Sequence, residues 1–305
     1  MALPAVRANR QSPACRSVTP GWVARSDDDT EEAGKKVWRM LARAGRADLV
    51  ISDEVMWALP ACRRSMQVPC VLLTDWFFAQ FGYPHHDWIM NDATAIVVPD
   101  FAVAHPDLSH IVVPVHFTGP LVKTFTVDRA AARKELDLPA EAFVAVVTLG
   151  GMPDRPEAQQ IVDLAVAAWT GGARPEDRLV VLANRRAGRV APNGCRWVGI
   201  TPTPETYFGA ADVVLADVPG FTVCELGRND TAVVAVATTP MNTATERRLE
   251  FLASIGLVTN LHMDDGPEEL WRLMSGARHR TTSPNGTKAQ WANADDVADC
   301  LLRYL

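Results

Sequence analysis

The chain has 305 residues, of which 48% are hydrophobic and 22% charged, and its formal net charge is -6. This is the composition of a globular protein, and the acidic balance excludes any broad attraction for nucleic acid or for an anionic membrane surface. No apolar run approaches the roughly 18 residues of a spanning helix. At roughly 100–200 residues per domain, the length suggests two domains.

Residues 1–26 carry four arginines and no acid. They read as a disordered or atypical N-terminal tail, with a transit peptide as the other reading of that composition. Val37, Met40 and Leu41 mark one face of a helix over 31–46. Short apolar runs follow at 47–52, 68–75, 91–100 and 110–120, with a helical stretch at 54–67. Then the pattern restarts. A helix over 127–138 precedes a strand over 142–151 that ends in Gly150-Gly151. The next helix, over 156–172, stops at Gly171-Gly172. Strands at 177–184 and 195–201 and a short helix at 203–211 come next. Two more apolar runs flank the Pro219-Gly220 turn, and a last helix spans 293–305. Strands that are apolar throughout and alternate with helices predict parallel sheets covered on both faces. The fold class is α/β, with two doubly wound Rossmann-like domains. We divide the chain into the tail 1–26, a first domain 27–118 and a second domain 119–305, the break falling at "FTGPLV".

The six cysteines, Cys15, Cys62, Cys70, Cys195, Cys224 and Cys300, are scattered, without a C-x-x-C pair. A zinc cluster or a disulfide framework is not indicated, and they read as reduced thiols of a cytoplasmic protein. Doubly wound sheets bind ligands beyond the carboxyl ends of their strands, so the residues after each apolar run are the candidates. Gly150 and Gly151 let the backbone approach a phosphate at a helix N-terminus, with Arg155 nearby; a plain tight turn is the alternative. Glu225 has two readings. Three residues after Thr222, it has capping-box spacing. A carboxylate can also accept two hydrogen bonds from the vicinal hydroxyls of a ribose. Asn242 and Thr243 open a helix carrying Glu246, Arg247 and Arg248, which is a polar cradle or an ordinary surface helix start. Asp53 and Asp75 end their strands as catalytic bases or as caps. His85-His86-Asp87 lies in a loop and makes a poor metal site, since adjacent histidines rarely converge on one ion. Trp57, Trp76 and Trp88 stack on a sugar or lipid, or pack internally.

Taken together, these residues resemble the GT-B fold glycosyltransferases, in particular the group of the bacterial UDP-N-acetylglucosamine transferase of peptidoglycan synthesis. The resemblance rests on "ADLVIS…VPCVLLTD", "TGPLV", "VTLGG" and above all "AADVVLADVPGFTVCELGRNDTAVVAVATTP…ERRLEFLASIGLVTNL". It covers roughly residues 47–262. It implies a nucleotide-sugar donor, an acceptor hydroxyl and inverting transfer without a cofactor or metal. It implies that Glu225 binds the ribose and that Gly150 and Gly151 line the diphosphate. Gly220, Phe221 and Thr222 would turn against the donor phosphates or sugar. Gly199 and Ile200 would lie beside the base, and Glu246 near the sugar hydroxyls. It also implies a last helix that packs back across the first domain.

One departure stands out: the family's N-terminal Gly- and His-containing loop is absent from residues 1–46. The first domain is therefore expected to be incomplete. A truncated chain, a partner chain supplying the missing segment and a lost activity remain alternatives, and the base falls to Asp75 or Asp53. A nucleotide-sugar 2-epimerase and an inactive homologue that only binds a nucleotide sugar or a partner protein are the rival functions.

Overall fold

A computed structural model of the chain describes residues 30–105, 107–150, 156–184, 191–218, 220–238, 241–279 and 289–305, with side chains from residue 35 onward. The tail 1–26, Gly151 and Arg155 lie outside the described residues.

The first sheet holds β1 (Val50–Asp53), β2 (Cys70–Leu73), β3 (Ala95–Val98) and β4 (Val115–Phe117), all parallel and side by side in chain order. Every residue of β2 and β3 is buried, which is why these strands read as unbroken apolar runs. Cys70, Leu72, Ile96 and Val98 share a core with Val37 and Leu41 of α1 (Thr30–Ala44) and Leu59 of α2 (Ala58–Pro60). The chain then widens into a π turn over Ala61–Met66. Among the described residues the strand order of this sheet runs one way only. Among the described residues β1 has no neighbour on its outer side, and Ile51 there is 49% exposed.

The second sheet has β5 (Val144–Thr148), β6 (Arg178–Leu182), β7 (Cys195–Trp197), β8 (Val213–Asp217), β9 (Val233–Ala237) and β10 (Thr259–His262). Its order is β7-β6-β5-β8-β9-β10, parallel throughout. This is the complete doubly wound order, reversing between β5 and β8. The remaining helices are α3 (Arg129–Glu135), α4 (Pro156–Gly172), α5 (Pro204–Ala210), α6 (Thr222–Arg228), α7 (Thr243–Ser254), α8 (Gly266–Gly276) and α9 (Ala294–Leu302). Alternate strand residues face opposite cores. Ala145, Val147, Leu215 and Val236 pack on Trp169 of α4 and Met274 of α8. Val144, Val146, Val214 and Ala235 pack on Phe208, Leu226 and Leu252 of α5, α6 and α7.

Two stretches of chain join the sheets, running side by side. One passes outward at 118–122; the other returns at 289–293, and Leu121 bridges Ala292. Arg228 clamps both by donating to the carbonyls of Val122 (3.1 Å) and Ala292 (2.8 Å). Beyond the return, Asn293 caps α9 and exchanges hydrogen bonds with Asp296. Helix α9 then lies on the first sheet, where Val297, Cys300 and Leu301 cover Val71, Leu73, Ala95 and Val97.

Candidate functional site

The residues singled out in the second half fall along the carboxyl edge of one sheet. Gly150 follows β5, Gly199 and Ile200 follow β7, Gly220 through Glu225 follow β8, and Glu246 stands in the first turn of α7 after β9. The reversal of strand order puts the crevice between β5 and β8. Gly150 (φ 62°) and Gly220 (φ 97°) flank it, both in the left-handed region that glycine enters without strain. Space around Gly220 is open, since a Cβ there would meet nothing within 4 Å. Ile200 is 69% exposed beside this edge, and Glu246 is exposed.

Glu225 does not form the capping box. Helix α6 takes Phe221 as its N-cap and Thr222 as its first residue, so Glu225 sits one position too late to reach back. Its own N–H joins the helix ladder on the Phe221 carbonyl at 2.9 Å. Among the described residues its carboxylate accepts no hydrogen bond, although it is half-buried. Burial raises its pKa, with Lys123 working against this and Glu205 adding to it. A half-buried carboxylate with free lone pairs is a costly arrangement for a structural residue. It suits one that waits for donors from a ligand.

At the start of α7, Asn242 caps the helix by accepting from the Thr245 N–H at 2.8 Å. That cap aims the helix at the first sheet. Arg248, buried to 5% exposure, makes a two-pronged ion pair with Asp100 after β3, Nε to Oδ1 at 2.9 Å and Nη2 to Oδ2 at 2.7 Å. It also lies 3.6 Å from Asp75 and stacks over the Phe221 ring at 4.2 Å. His105 Nε2 lies 2.9 Å from the same Asp100 Oδ2. Burial alone would raise the Asp100 pKa; the hydrogen bonds from His105 and Arg248 outweigh it and hold the carboxyl below its usual range. Next to it, Phe101 leaves the first sheet and packs against Phe251 (4.8 Å) and Trp291 (5.4 Å) in the second core.

Two strands of the first sheet close on acids. Asp53 ends β1, and Asp75 follows β2 beside Arg248. Burial raises the Asp53 pKa. Glu54, Asp100 and the pairing role of Arg248 emerge only in the fold. Asp100 had a visible signal: "ISD", "LLTD" and "VVPD" each close an apolar run with an aspartate.

Of the loop residues, His85 and His86 pack edge to face at 4.2 Å. Asp87 is fully buried and organises the turn, accepting from the N–H groups of Phe78 (2.7 Å) and Ala79 (3.2 Å) and pairing with His110 (2.7 Å).

No protein-family profile and no curated protein sequence matches the chain. Solved structures do. The glycotransferase of kitacinnamycin aligns with a TM-score of 0.63 at 16% identity, over 90% of this chain and 82% of its own. MurG of Acinetobacter baumannii aligns at 0.63 with 13% identity, over 90% and 78%. Arabidopsis thaliana UGT89C1 complexed with UDP-L-rhamnose aligns at 0.62 with 13% identity, over 90% and 77%. At such identities the likeness is one of fold. The chain has the GT-B fold, two Rossmann-like α/β units, here joined by Asp100 and Arg248.

Proposed function

We propose that this chain is a cytoplasmic glycosyltransferase that moves a sugar from a nucleotide-diphosphate donor, a UDP-sugar, to an acceptor hydroxyl with inversion. The observation that carries the reading is Glu225: a half-buried carboxylate that accepts no hydrogen bond from the described residues, at the mouth of the switch crevice. Vicinal ribose hydroxyls supply the two donors it lacks. Gly150 and Gly151 line the diphosphate, and Gly220, Phe221 and Thr222 turn against the phosphates or sugar. Gly199 and Ile200 flank the base, and Glu246 faces the sugar hydroxyls. The proton acceptor comes from the acidic rim of the first sheet, where Asp53 and Asp75 stand. The neighbours solved with UDP and UDP-L-rhamnose support the choice of donor.

In the reaction, the acceptor oxygen attacks the anomeric carbon from the first-sheet side while the bond to the diphosphate breaks. Backbone N–H groups at the crevice stabilise the charge that develops on the leaving group. Direct displacement inverts the anomeric centre.

The test is calorimetric titration with UDP. Glu225→Ala is expected to lose about 2 kcal/mol or more of binding energy, the scale of a charged hydrogen-bond partner. Equal binding by a folded variant would sink the ribose role. Failure of the wild-type chain to bind UDP, dTDP or GDP would sink the donor site. Conversion of a UDP-sugar to its 2-epimer without an acceptor would replace transfer by epimerisation.

A further inference from the structure

The group best placed to take the acceptor's proton is one residue beyond the expected aspartate. Glu54 follows β1 with φ 59°, a left-handed backbone that a non-glycine residue adopts at a cost. Its N–H is tied to the Leu73 carbonyl at 3.0 Å, so the end of β2 fixes that conformation. This turn carries the side chain to Asp75 and Trp76. Those two residues lead in turn to the second sheet, through Arg248 at 3.6 Å from Asp75.

Beyond Asp75 the chain forms an aromatic shelf. Trp76 meets Phe78 at 5.1 Å and Phe81 at 6.0 Å, and Phe78 meets His86 at 5.6 Å, all edge to face. Phe81 is 50% exposed and Tyr83 55% exposed, while buried Asp87 pins the turn beneath them. The Phe78–Phe81 turn touches α7, so the shelf lies at the cleft, and Trp76 at its inner end is within reach of Glu54. An open aromatic surface ending at a carboxyl group fits a flat apolar ring carrying a hydroxyl.

We propose that Glu54 is the catalytic base of this chain, that Asp75 is its positioning residue, and that the Trp76–Tyr83 shelf holds an acceptor bearing an aromatic ring. This deepens the transferase reading and rests on it. The acceptor O–H proton passes to the Glu54 carboxylate as the oxygen bonds to the anomeric carbon. The bond from that carbon to the diphosphate oxygen breaks, and the nucleoside diphosphate leaves with the electron pair. Glu54 later returns its proton to solvent.

The acidity of Glu54 suits this task. One side of the residue is open to solvent, but the protein packed around its carboxyl strips part of its hydration. That loss comes first, the neighbouring Asp75 carboxylate second and the Asp53 charge after it, and together they raise the pKa to about 7, with Trp76 working against them. A base works best with a pKa near the working pH.

The experiment uses the full chain with UDP-glucose and UDP-N-acetylglucosamine as donors. Two acceptors share hydroxyls that stay un-ionised between pH 5 and 9: 4-nitrophenyl β-glucoside, which has a ring, and methyl β-glucoside, which lacks one. Three readouts are followed: UDP binding, UDP release against pH, and acceptor-induced quenching of tryptophan fluorescence. The expected result is release that needs the aryl glucoside and rises with pH through a midpoint near 7. Glu54→Gln should bind UDP normally, release it at least ~100-fold more slowly and lose the midpoint. Asp75→Asn should move the midpoint to lower pH, which a purely structural role would not do. Trp76→Ala should abolish the quenching.

A Glu54→Gln chain with wild-type rate and midpoint overturns the base assignment. Equal use of both glucosides, or quenching that survives in Trp76→Ala, overturns the shelf. UDP binding with neither turnover nor quenching by the aryl glucoside overturns the acceptor class. Loss of UDP binding in the wild-type chain is a separate failure, of the donor reading.

Discussion

Glu54 and Glu225 show how differently two carboxylates at strand ends can be held. Glu225 lies in a relaxed helix with no donor to its carboxylate among the described residues; Glu54 sits in a strained turn with its carboxyl near Asp75. Strain of this kind costs on the order of 1–3 kcal/mol and survives where surrounding contacts over-determine it. Replacing Glu54 with glycine should therefore raise stability by about 1 kcal/mol, seen as a higher midpoint in urea, while removing the carboxyl needed for transfer. A variant both less stable and inactive would mean that Glu54 serves the fold. The place of Glu225 in the fold was legible because "PGFTVCE" puts it at a known distance from a turn. Its capping alternative failed by one residue, a shift set by where the helix begins. Glu54 was not legible: its neighbour Asp53 ends the apolar run, and only the left-handed turn brings the next side chain to Asp75.

Among the elements, the long apolar strands and α4 announced themselves, α4 to the residue. Strand β10 and helix α8 did not. "TNLH" has a single buried apolar residue, Leu261, because β10 is an edge strand, paired among the described residues with β9 alone. Helix α8 shows its apolar face mainly at Leu270 and Met274, a thin signal within 11 residues. Gly172 also meant more than the stop signal it resembled. It lies in the last turn of α4, and an added Cβ would run into the Trp271 indole of α8. Trp271 in turn meets Trp169 edge to face at 5.8 Å. Gly172→Ala is thus expected to destabilise by about 1–3 kcal/mol through overpacking, despite alanine's better helix propensity. Trp169→Ala, emptying a site 1% exposed, should cost about 3–5 kcal/mol. Chemical denaturation checks both, and a Gly172→Ala chain as stable as wild type would mean that Trp271 can swing away freely.

For the molecule as a whole, the ion pair of Asp100 with Arg248 is one of the contacts that tie the two sheets together. Asp100 and Arg248 are both buried, and breaking such a pair typically costs about 3–5 kcal/mol because one charge is left unmatched. Asp100→Asn should show that loss at pH 7. The pH dependence follows from direction. The Asp100 pKa is lowered below its ordinary 3.8, so the stability it adds is full above that value and fades as pH falls through the lower folded pKa. The gap between wild type and Asp100→Asn should narrow in acid, measured as urea midpoints at pH 7 and pH 3. A constant gap would mean that the carboxylate charge is not what matters. Gly119 is a second fixed point: its φ of 82° and its closeness to the Gln290 carbonyl leave no room for a side chain where the two connecting stretches pass.

Helix α9 sets an order of events during synthesis. Translation runs at about 5–20 residues per second, and domains generally fold as units as they emerge. The strands of the first sheet leave the ribosome early, yet Val71, Leu73, Ala95 and Val97 gain their cover only when residues 294–302 arrive. For the roughly ten to forty seconds between, a nascent chain holds a bare apolar face while the second sheet assembles behind it. That face is a natural client for a chaperone on the ribosome. A stalled chain ending before Ala294 should be held by one, and a finished chain should be released.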